Sequence, residues 1–269
     1  MGLTAQSTGI YAFLEELHQT SVKADAVIAL AGNPNTGKST VFNSLTGLNQ
    51  HTGNWPGKTV HLAKGNYQHR NKTITLVDLP GAYSLLAHSA DEQVARDFIC
   101  FGDPDATVVV ADATCLERNL NLVLQVMEMT AKTILCVNLI DEAGRKKLAI
   151  DCAELERILG IPVIPTAARN KTGLDELKDA IHQVAIAKKN GRPKKLAYNQ
   201  AIEAAIVEIQ SEVEVLLRGK LNSRWVAMRL LDGDRTLIAE MFHYLQRMEH
   251  QAPLCIKGGR AKCYEQLGG

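Results

Sequence analysis

A chain of 269 residues with 46% hydrophobic and 22% charged side chains has a globular composition, with room for one large domain or a medium and a small one. Its formal net charge of +1 gives no global electrostatic case for nucleic acid or an anionic membrane surface as partner. No run of 18 apolar residues occurs, and the N-terminus lacks the basic and apolar parts of a secretory signal. Neither a membrane-spanning helix nor a leader is therefore expected within these residues.

In chain order, Ile10, Phe13, Leu14 and Leu17 recur at helical spacing and predict a short amphipathic helix in an N-terminal extension, residues 1–24. The apolar run from Ala26 to Ala31 predicts a first strand. A Gly-rich turn and a helix from Lys38 to about Leu45 follow. Strands are predicted at Val60–Tyr67, Thr73–Val77, Ala106–Val110, Thr133–Val137 and Ile161–Pro165, the last weakened by Pro162 and Pro165. Helical stretches fall near 91–101, 117–130, 151–159 and 174–187. This alternation predicts an α/β fold: a doubly wound, mostly parallel, six-stranded sheet whose second and third strands form an antiparallel hairpin. Gly191 and Pro193 then punctuate the chain. Beyond them the apolar spacing in 201–217, 225–231 and 235–248 predicts a small all-helical part. The reading divides the chain into 1–24, a nucleotide-binding domain 25–190 and a helical domain 191–269.

The six cysteines (Cys100, Cys115, Cys136, Cys152, Cys255 and Cys263) form no C-x-x-C pair and read as reduced, mostly buried thiols. The eight histidines form no H-x-x-x-H pair, so no zinc-type site is expected.

The chemistry sits at strand ends. Gly32-Asn33-Pro34-Asn35-Thr36-Gly37-Lys38-Ser39 fits G-x-x-x-x-G-K-[ST] in full, directly after a strand and opening a helix, which is the context a phosphate-binding loop requires. Its backbone N–H groups would turn around a β-phosphate, with the helix N-terminus adding partial positive charge. Lys38 would reach the β- and γ-phosphates, and the Ser39 hydroxyl would ligate Mg²⁺, with Thr40 following it into the helix. Asp78-Leu79-Pro80-Gly81 follows the third predicted strand. Asp78 is a second Mg²⁺ anchor, and Gly81 brings an N–H to the γ-phosphate with no side chain in the way. Between them, Gly53-Asn54-Trp55-Pro56-Gly57-Lys58-Thr59 reads as a mobile loop. Its Thr59 is the candidate to reach Mg²⁺ and the γ-phosphate, with Gly57 and Lys58 beside it; Thr59 also reads as a plain strand-leading threonine.

Asn138-Leu139-Ile140-Asp141 ends the fifth predicted strand. A carboxylate there accepts from both N1–H and N2–H of guanine. Adenine offers a lone pair at N1 and would leave the carboxylate unpaired, so the spacing selects GTP over ATP. Thr166-Ala167-Ala168 ends the sixth strand and could turn a backbone N–H toward guanine O6. All five elements lie where open α/β sheets bind ligands, at the carboxyl ends of strands.

The phosphate loop, Gly53-Asn54-Trp55-Pro56-Gly57 and Asp78-Leu79-Pro80-Gly81-Ala82-Tyr83-Ser84-Leu85, together with Arg224-Trp225 and Leu230-Leu231-Asp232-Gly233-Asp234, resemble the FeoB family of ferrous iron transporters over about residues 25–250. The resemblance implies a GTP- and GDP-binding G domain and a helical domain thought to slow GDP release. It implies a membrane domain following Gly269 in the full-length protein, so this part would sit at the cytoplasmic face of the bacterial inner membrane. Small accessory proteins and self-association are compatible partners; nucleic acid is not expected. In the family, an asparagine at the Asn35 position goes with potassium-activated hydrolysis, K⁺ being held by that side chain and by loop carbonyls, here those of Gly53 and Trp55. Asn35 also reads as a simple turn residue. Where Ras-type enzymes carry a water-orienting glutamine, this sequence has Ala82, so hydrolysis is expected to be slow and to rest on charge neutralisation at Lys38, Thr59, Asn35 and Gly81. A soluble RNA- or ribosome-associated GTPase of the Era or MnmE type shares the G-x-P-N-x-G-K-S loop and is the rival reading. Against it, the C-terminal part has no KH-type G-x-x-G loop and no arginine-rich helix. A binding-only switch is the third.

Overall fold

The computed structural model describes residues 24–47, 50–55, 58–86, 89–189 and 191–251. The predicted N-terminal helix lies outside them, as does Gly57. The chain forms two compact units, divided between Gly233 and Asp234.

The first unit is built on one sheet of seven strands: β1 Ala26–Gly32, β2 Gln50–Asn54, β3 His61–His69, β4 Lys72–Asp78, β5 Ala106–Asp112, β6 Thr133–Asn138 and β7 Val163–Pro165, in the order β2-β3-β4-β1-β5-β6-β7. The pairs from β4 through β7 are parallel, and β2–β3 and β3–β4 are antiparallel. The doubly wound, mostly parallel class holds, with the β3–β4 hairpin as expected. The seventh strand, β2, lies where sequence predicts loop. Its Gln-His-Thr-Gly-Asn stretch carries no apolar pattern, and it is made a strand by register with β3, Gly53 opposite Leu62 and Asn54 opposite His61.

Helices cover both faces: α1 Lys38–Thr46, α2 Ala90–Phe101, α3 Leu116–Met129, α4 Ile140–Arg145, α5 Cys152–Leu159 and α6 Leu174–Ile181, which runs on through a π-helical turn, His182–Ile186. Alternation along the strands sorts the core. Ile28, Leu30, Ile74, Leu76, Val108 and Ile134 pack with Val41 and Phe42 of α1 and Leu177 and Ile181 of α6. Their neighbours Ala29, Val77, Val109 and Leu135 are equally buried and point to the other face, where α2 and α3 pack. Burial on both faces is why the central strands read as continuous apolar runs. Each fully buried aliphatic side chain contributes about 1.5–3 kcal/mol. In β3, by contrast, exposed His61 and buried Leu62 alternate, as suits a half-solvated antiparallel strand. Of the four cysteines described, Cys136 is buried, Cys100 and Cys152 partly so, and Cys115 is exposed. The expectation of mostly buried thiols therefore fails at Cys115, which lies in the turn after β5. Burial pushes the Cys136 thiol up to about 12.

The Gly-Pro punctuation at 191–193 is a packed crossing. A Cβ on Gly160, at φ 72°, would stand 2.2 Å from the Arg192 carbonyl oxygen, and Lys194 N–H donates to Leu159 O at 2.9 Å. Two helices follow in the same unit, α7 Gln200–Leu217 and α8 Ser223–Leu231. Asn199 and Asn222 cap them, their side chains accepting from Ile202 N and Trp225 N. Asn222 also donates to Glu128 O of α3 at 2.9 Å, and the Tyr198 hydroxyl reaches the Glu128 carboxylate at 2.6 Å. The second unit carries α9, Arg235–Gln251, whose first turn is capped by the Asp234 carboxylate accepting from Leu237 N at 3.1 Å.

Candidate functional site

The phosphate loop leaves β1 at Gly32, where a Cβ would lie 2.7 Å from the Val110 carbonyl oxygen of the neighbouring strand; only glycine fits. The loop then closes on itself through Thr36 Oγ1, which donates to Asn33 O at 3.0 Å. Asn35 at φ 66° and Gly37 at φ 78° take the left-handed conformation, which asparagine tolerates better than other side chains. Gly37 is the N-cap residue immediately before α1. Together these turn the loop around a cavity of about 370 Å³ lined by Asn33, Asn35, Lys38, Ser39, Thr40 and Gly81, among others.

The Asp78–Gly81 turn meets the loop from β4. Leu79 N donates to Leu30 O at 3.0 Å and Ala82 N to Gly32 O at 3.2 Å. A Cβ on Gly81 would stand 3.3 Å from Pro34, so a side chain there would press on the loop. Lys38 Nζ pairs with the Asp78 carboxylate and donates to Leu79 O at 2.6 Å. Ser39 Oγ lies 3.4 Å from Asp78 Oδ2. Burial pushes the Asp78 carboxyl above the ordinary carboxylate value, against the pull of the Lys38 ammonium. Ser39 and Asp78 thus offer the hard oxygen ligands that suit Mg²⁺.

The residues after Gly81 are tied away from the cavity. Ala82 is only 3% exposed. The Arg118 guanidinium covers the Tyr83 ring at 4.5 Å. Gln125 Oε1 of α3 accepts from Ser84 Oγ at 3.2 Å and from Leu85 N at 2.7 Å.

Asn138 is 1% exposed and joins the phosphate loop to the second half of the site. Its Nδ2 donates to Thr36 O at 3.0 Å, and its Oδ1 accepts from Ala168 N at 3.1 Å and Thr166 Oγ1 at 3.2 Å. The side chain of Asn138 is thus spent inside the protein as a brace. Next to it Leu139 sits at φ 62°, an uncommon conformation for leucine and a sign of local strain. It opens α4 and turns Asp141 toward a second cavity of about 200 Å³, lined also by Arg145, Ala167, Ala168 and Asn170. Asp141 accepts from Asn170 Nδ2 at 3.2 Å.

The backbone N–H groups of Thr166, Ala167 and Ala168, one of which is expected to face the base, are each engaged in this structure: Thr166 N to Val137 O, Ala167 N to Thr172 O and Ala168 N to Asn138 Oδ1. The Ala167–Thr172 pair is an isolated bridge, so Ala167 is the one whose N–H is held by the least structure. Lys58 and Thr59, with Gly53 and Trp55, do not line the phosphate cavity among the described residues. Trp55 is 2% exposed, Thr59 is exposed, and Trp55 O accepts from Lys58 N at 3.1 Å. Sequence reasoning missed Arg145 and Asn170 beside Asp141, since neither belongs to a spaced motif.

The family model described as ferrous iron transport protein B matches residues 26–181, and the one described as FeoB cytosolic helical domain matches 198–253. The chain belongs to the FeoB family. The Fe(2+) transporter FeoB of Methanocaldococcus jannaschii is 44% identical over 208 residues, covering 77% of this chain and 31% of the relative. The Fe(2+) transport protein A/Fe(2+) transporter FeoB fusion protein of Porphyromonas gingivalis is 36% identical over 214 residues, covering 78% of this chain and 25% of the relative. The chain thus spans about a quarter to a third of these FeoB proteins' length. Among solved structures, the cytosolic domain of the T. maritima FeoB iron transporter, in forms with GDP and with GMPPNP, superposes with TM-score 0.73 and 40% identity. In the GDP form the match covers 81% of this chain and 85% of that one. The cytosolic domain of L. pneumophila FeoB also superposes with TM-score 0.73, at 33% identity over 84% of this chain and 89% of that one. These matches make the fold described above a P-loop GTPase fold of FeoB type, followed by a helical region.

Proposed function

We propose that this chain is the nucleotide-handling part of a ferrous iron transporter. It binds GTP and GDP with Mg²⁺, hydrolyses GTP slowly, and regulates or powers Fe²⁺ uptake by a membrane domain of the same full-length protein, at the cytoplasmic face of the bacterial inner membrane. In this reading 25–190 bind nucleotide and 191–269 form the helical domain that acts on it. The observation that carries it is the pairing of two cavities, one walled by the phosphate loop and one by Asp141, braced together through Asn138.

In the proposed complex, backbone N–H groups of residues 35–39 surround the β-phosphate, and Lys38 exchanges Asp78 for phosphate oxygens. Ser39 and Asp78 would hold Mg²⁺, which when bound would supply charge neutralisation at the phosphates. Asp141 accepts from the guanine edge, and Ala167 N–H gives up Thr172 O to face O6. No side chain of Ala82–Ser84 is free to orient water: the first is buried, the second stacked under Arg118 and the third held by Gln125. Catalysis then rests on charge neutralisation, which supports slow turnover. Asn35 lines the cavity and fits one side of a K⁺ site; the Gly53 and Trp55 carbonyls would complete it only after the tip of the β2–β3 hairpin moves.

The test is steady-state GTP hydrolysis in KCl and in NaCl at equal ionic strength, for wild type and Asn35→Ala. Faster turnover in KCl that disappears on substitution is expected. Equal rates in both salts would remove potassium from the reading, and no hydrolysis in either would leave a binding-only switch.

A further inference from the structure

Sequence places Lys58 among the nucleotide contacts, but in the structure its side chain points to α2. Its Nζ donates to Gln93 Oε1 at 3.0 Å and lies 3.8 Å from Asp97 Oδ2. Gln93 and Asp97 are four residues apart, so they share one face of α2. Asp97 is itself fixed: its other oxygen takes Arg96 Nε at 2.9 Å, and the Arg96 side chain is 1% exposed. Lys58 therefore meets a half-buried Gln93 and a buried Asp97 already held by Arg96. Its side chain is 17% exposed, enough shielding for such a contact to exceed an ordinary surface pair.

The backbone around Lys58 is closed as well. Trp55 N donates to Val60 O at 2.8 Å, and Lys58 N to Trp55 O at 3.1 Å. These bonds tie Trp55, Lys58 and Val60 together at the tip of the β2–β3 hairpin, with Trp55 buried and Thr59 exposed. Thr59 is the next residue after Lys58 and does not line the phosphate cavity, so a movement of Thr59 toward that cavity carries the Lys58 backbone with it and works against the Lys58 contact with α2.

We propose that Lys58, through Gln93 and Asp97, is a positioning residue that pins the hairpin tip to α2, withholds Thr59 from the phosphate cavity, and so sets how strongly GTP is preferred over GDP. This rests on the guanine-nucleotide reading of the site. The pin costs GTP binding because the γ-phosphate is the group Thr59 would engage. GDP lacks that phosphate and gains nothing from releasing the tip. A ligand shifts such an equilibrium only through its different affinity for the two states.

The experiment compares Kd values for mant-GMPPNP and mant-GDP across wild type, Lys58→Met, Gln93→Leu, Thr59→Ala and the Lys58→Met/Thr59→Ala double variant. Lys58→Met keeps the apolar stem and removes the charge. It is expected to tighten mant-GMPPNP by about threefold to tenfold and leave mant-GDP unchanged. Gln93→Leu should do the same to a smaller extent. In the Thr59→Ala background Lys58→Met should have no effect, which a merely structural role for Lys58 would not produce. Equal changes for both nucleotides, or no change, in a protein that still binds them would overturn the pin alone. Weaker mant-GMPPNP binding in Lys58→Met would overturn it too, by showing that Lys58 touches the phosphates. A wild-type protein that binds neither nucleotide would end both the pin and the guanine-nucleotide reading.

Discussion

Asn138 and Lys58 each hold a loop of the candidate site, and they do it by different means. Asn138 is buried at the end of β6, and its amide bonds three partners in the phosphate and base loops. Lys58 sits near the sheet edge and holds its loop through a long, partly exposed side chain on a neighbouring helix. The first arrangement has no second state of comparable energy, because opening it would leave buried polar groups unpaired at about 1–3 kcal/mol each. The second gives up one partly exposed contact and can be exchanged for another. A site of this kind therefore keeps its binding surface fixed and leaves its nucleotide-sensing segment on a weak tether.

The largest effect expected on the fixed half is at Asp141. Asp141→Asn puts an N–H where guanine presents two donors, and the affinity for GDP should fall by roughly 1,000-fold or more. Asp141 is 37% exposed, so the melting temperature should barely move. Equilibrium binding and a thermal melt on the same sample separate the two. A loss below about tenfold would mean that Asp141 does not face the base.

Gly37→Ala should be next, and here stability changes as well. The new Cβ would lie 2.4 Å from Asn138 Nδ2, at φ 78°. The left-handed backbone costs about 1–2 kcal/mol, and displacing the Asn138 brace adds about 1–3 kcal/mol. A urea titration should show the sum, a destabilisation of about 2–5 kcal/mol from the same two sources. Lys58→Met, measured the same way, should cost no more than about 1.4 kcal/mol, the free energy of a tenfold change. Similar costs for the two variants would erase the distinction between brace and tether.

The braced half was also the half legible in sequence. Gly32, Gly37 and Gly81 announce close backbone approaches, and Asp78, Asn138 and Asp141 announce strand ends, because each follows from spacing along a short stretch of chain. The doubly wound sheet was legible for the same reason: buried parallel strands read as apolar runs. What could not be read was set by distant partners. β2 carries no strand pattern and exists through its register with β3. The internal use of Asn138, the first residue of its motif, depends on Thr36 and Ala168, 102 and 30 residues away. Lys58 meets Gln93 across 35 residues, and nothing in either segment marks the other. The short helix α4 was missed because Leu139 opens it from a strained conformation that local propensity disfavours.

The smallest effect should come from outside the site and leave its two halves alone. The Arg224 guanidinium forks onto Glu203, with N–O distances of 2.8 and 2.7 Å, and Tyr198 N–H adds a third bond at 3.0 Å. These bonds, Arg224's first, hold the Glu203 carboxyl down at about 2, from an ordinary 4.5. A depressed carboxylate stabilises the folded state fully above the unfolded value and loses that contribution as pH falls through the folded one. The clamp between α7 and α8 should therefore be intact at neutral pH and fade between about 4.5 and 2. Arg224 is 17% and Glu203 32% exposed, so solvent still screens the carboxylate side of the pair and its share of stability stays small. Glu203→Gln should lower the melting temperature slightly at pH 7, with the difference from wild type shrinking across that acid window. GDP affinity at pH 7 should stay the same, since no atom of this clamp lines either cavity. A change in affinity without a change in melting temperature would mean that the helical part communicates with the nucleotide through Arg224, and the weak tether at Lys58 would then have a second regulator.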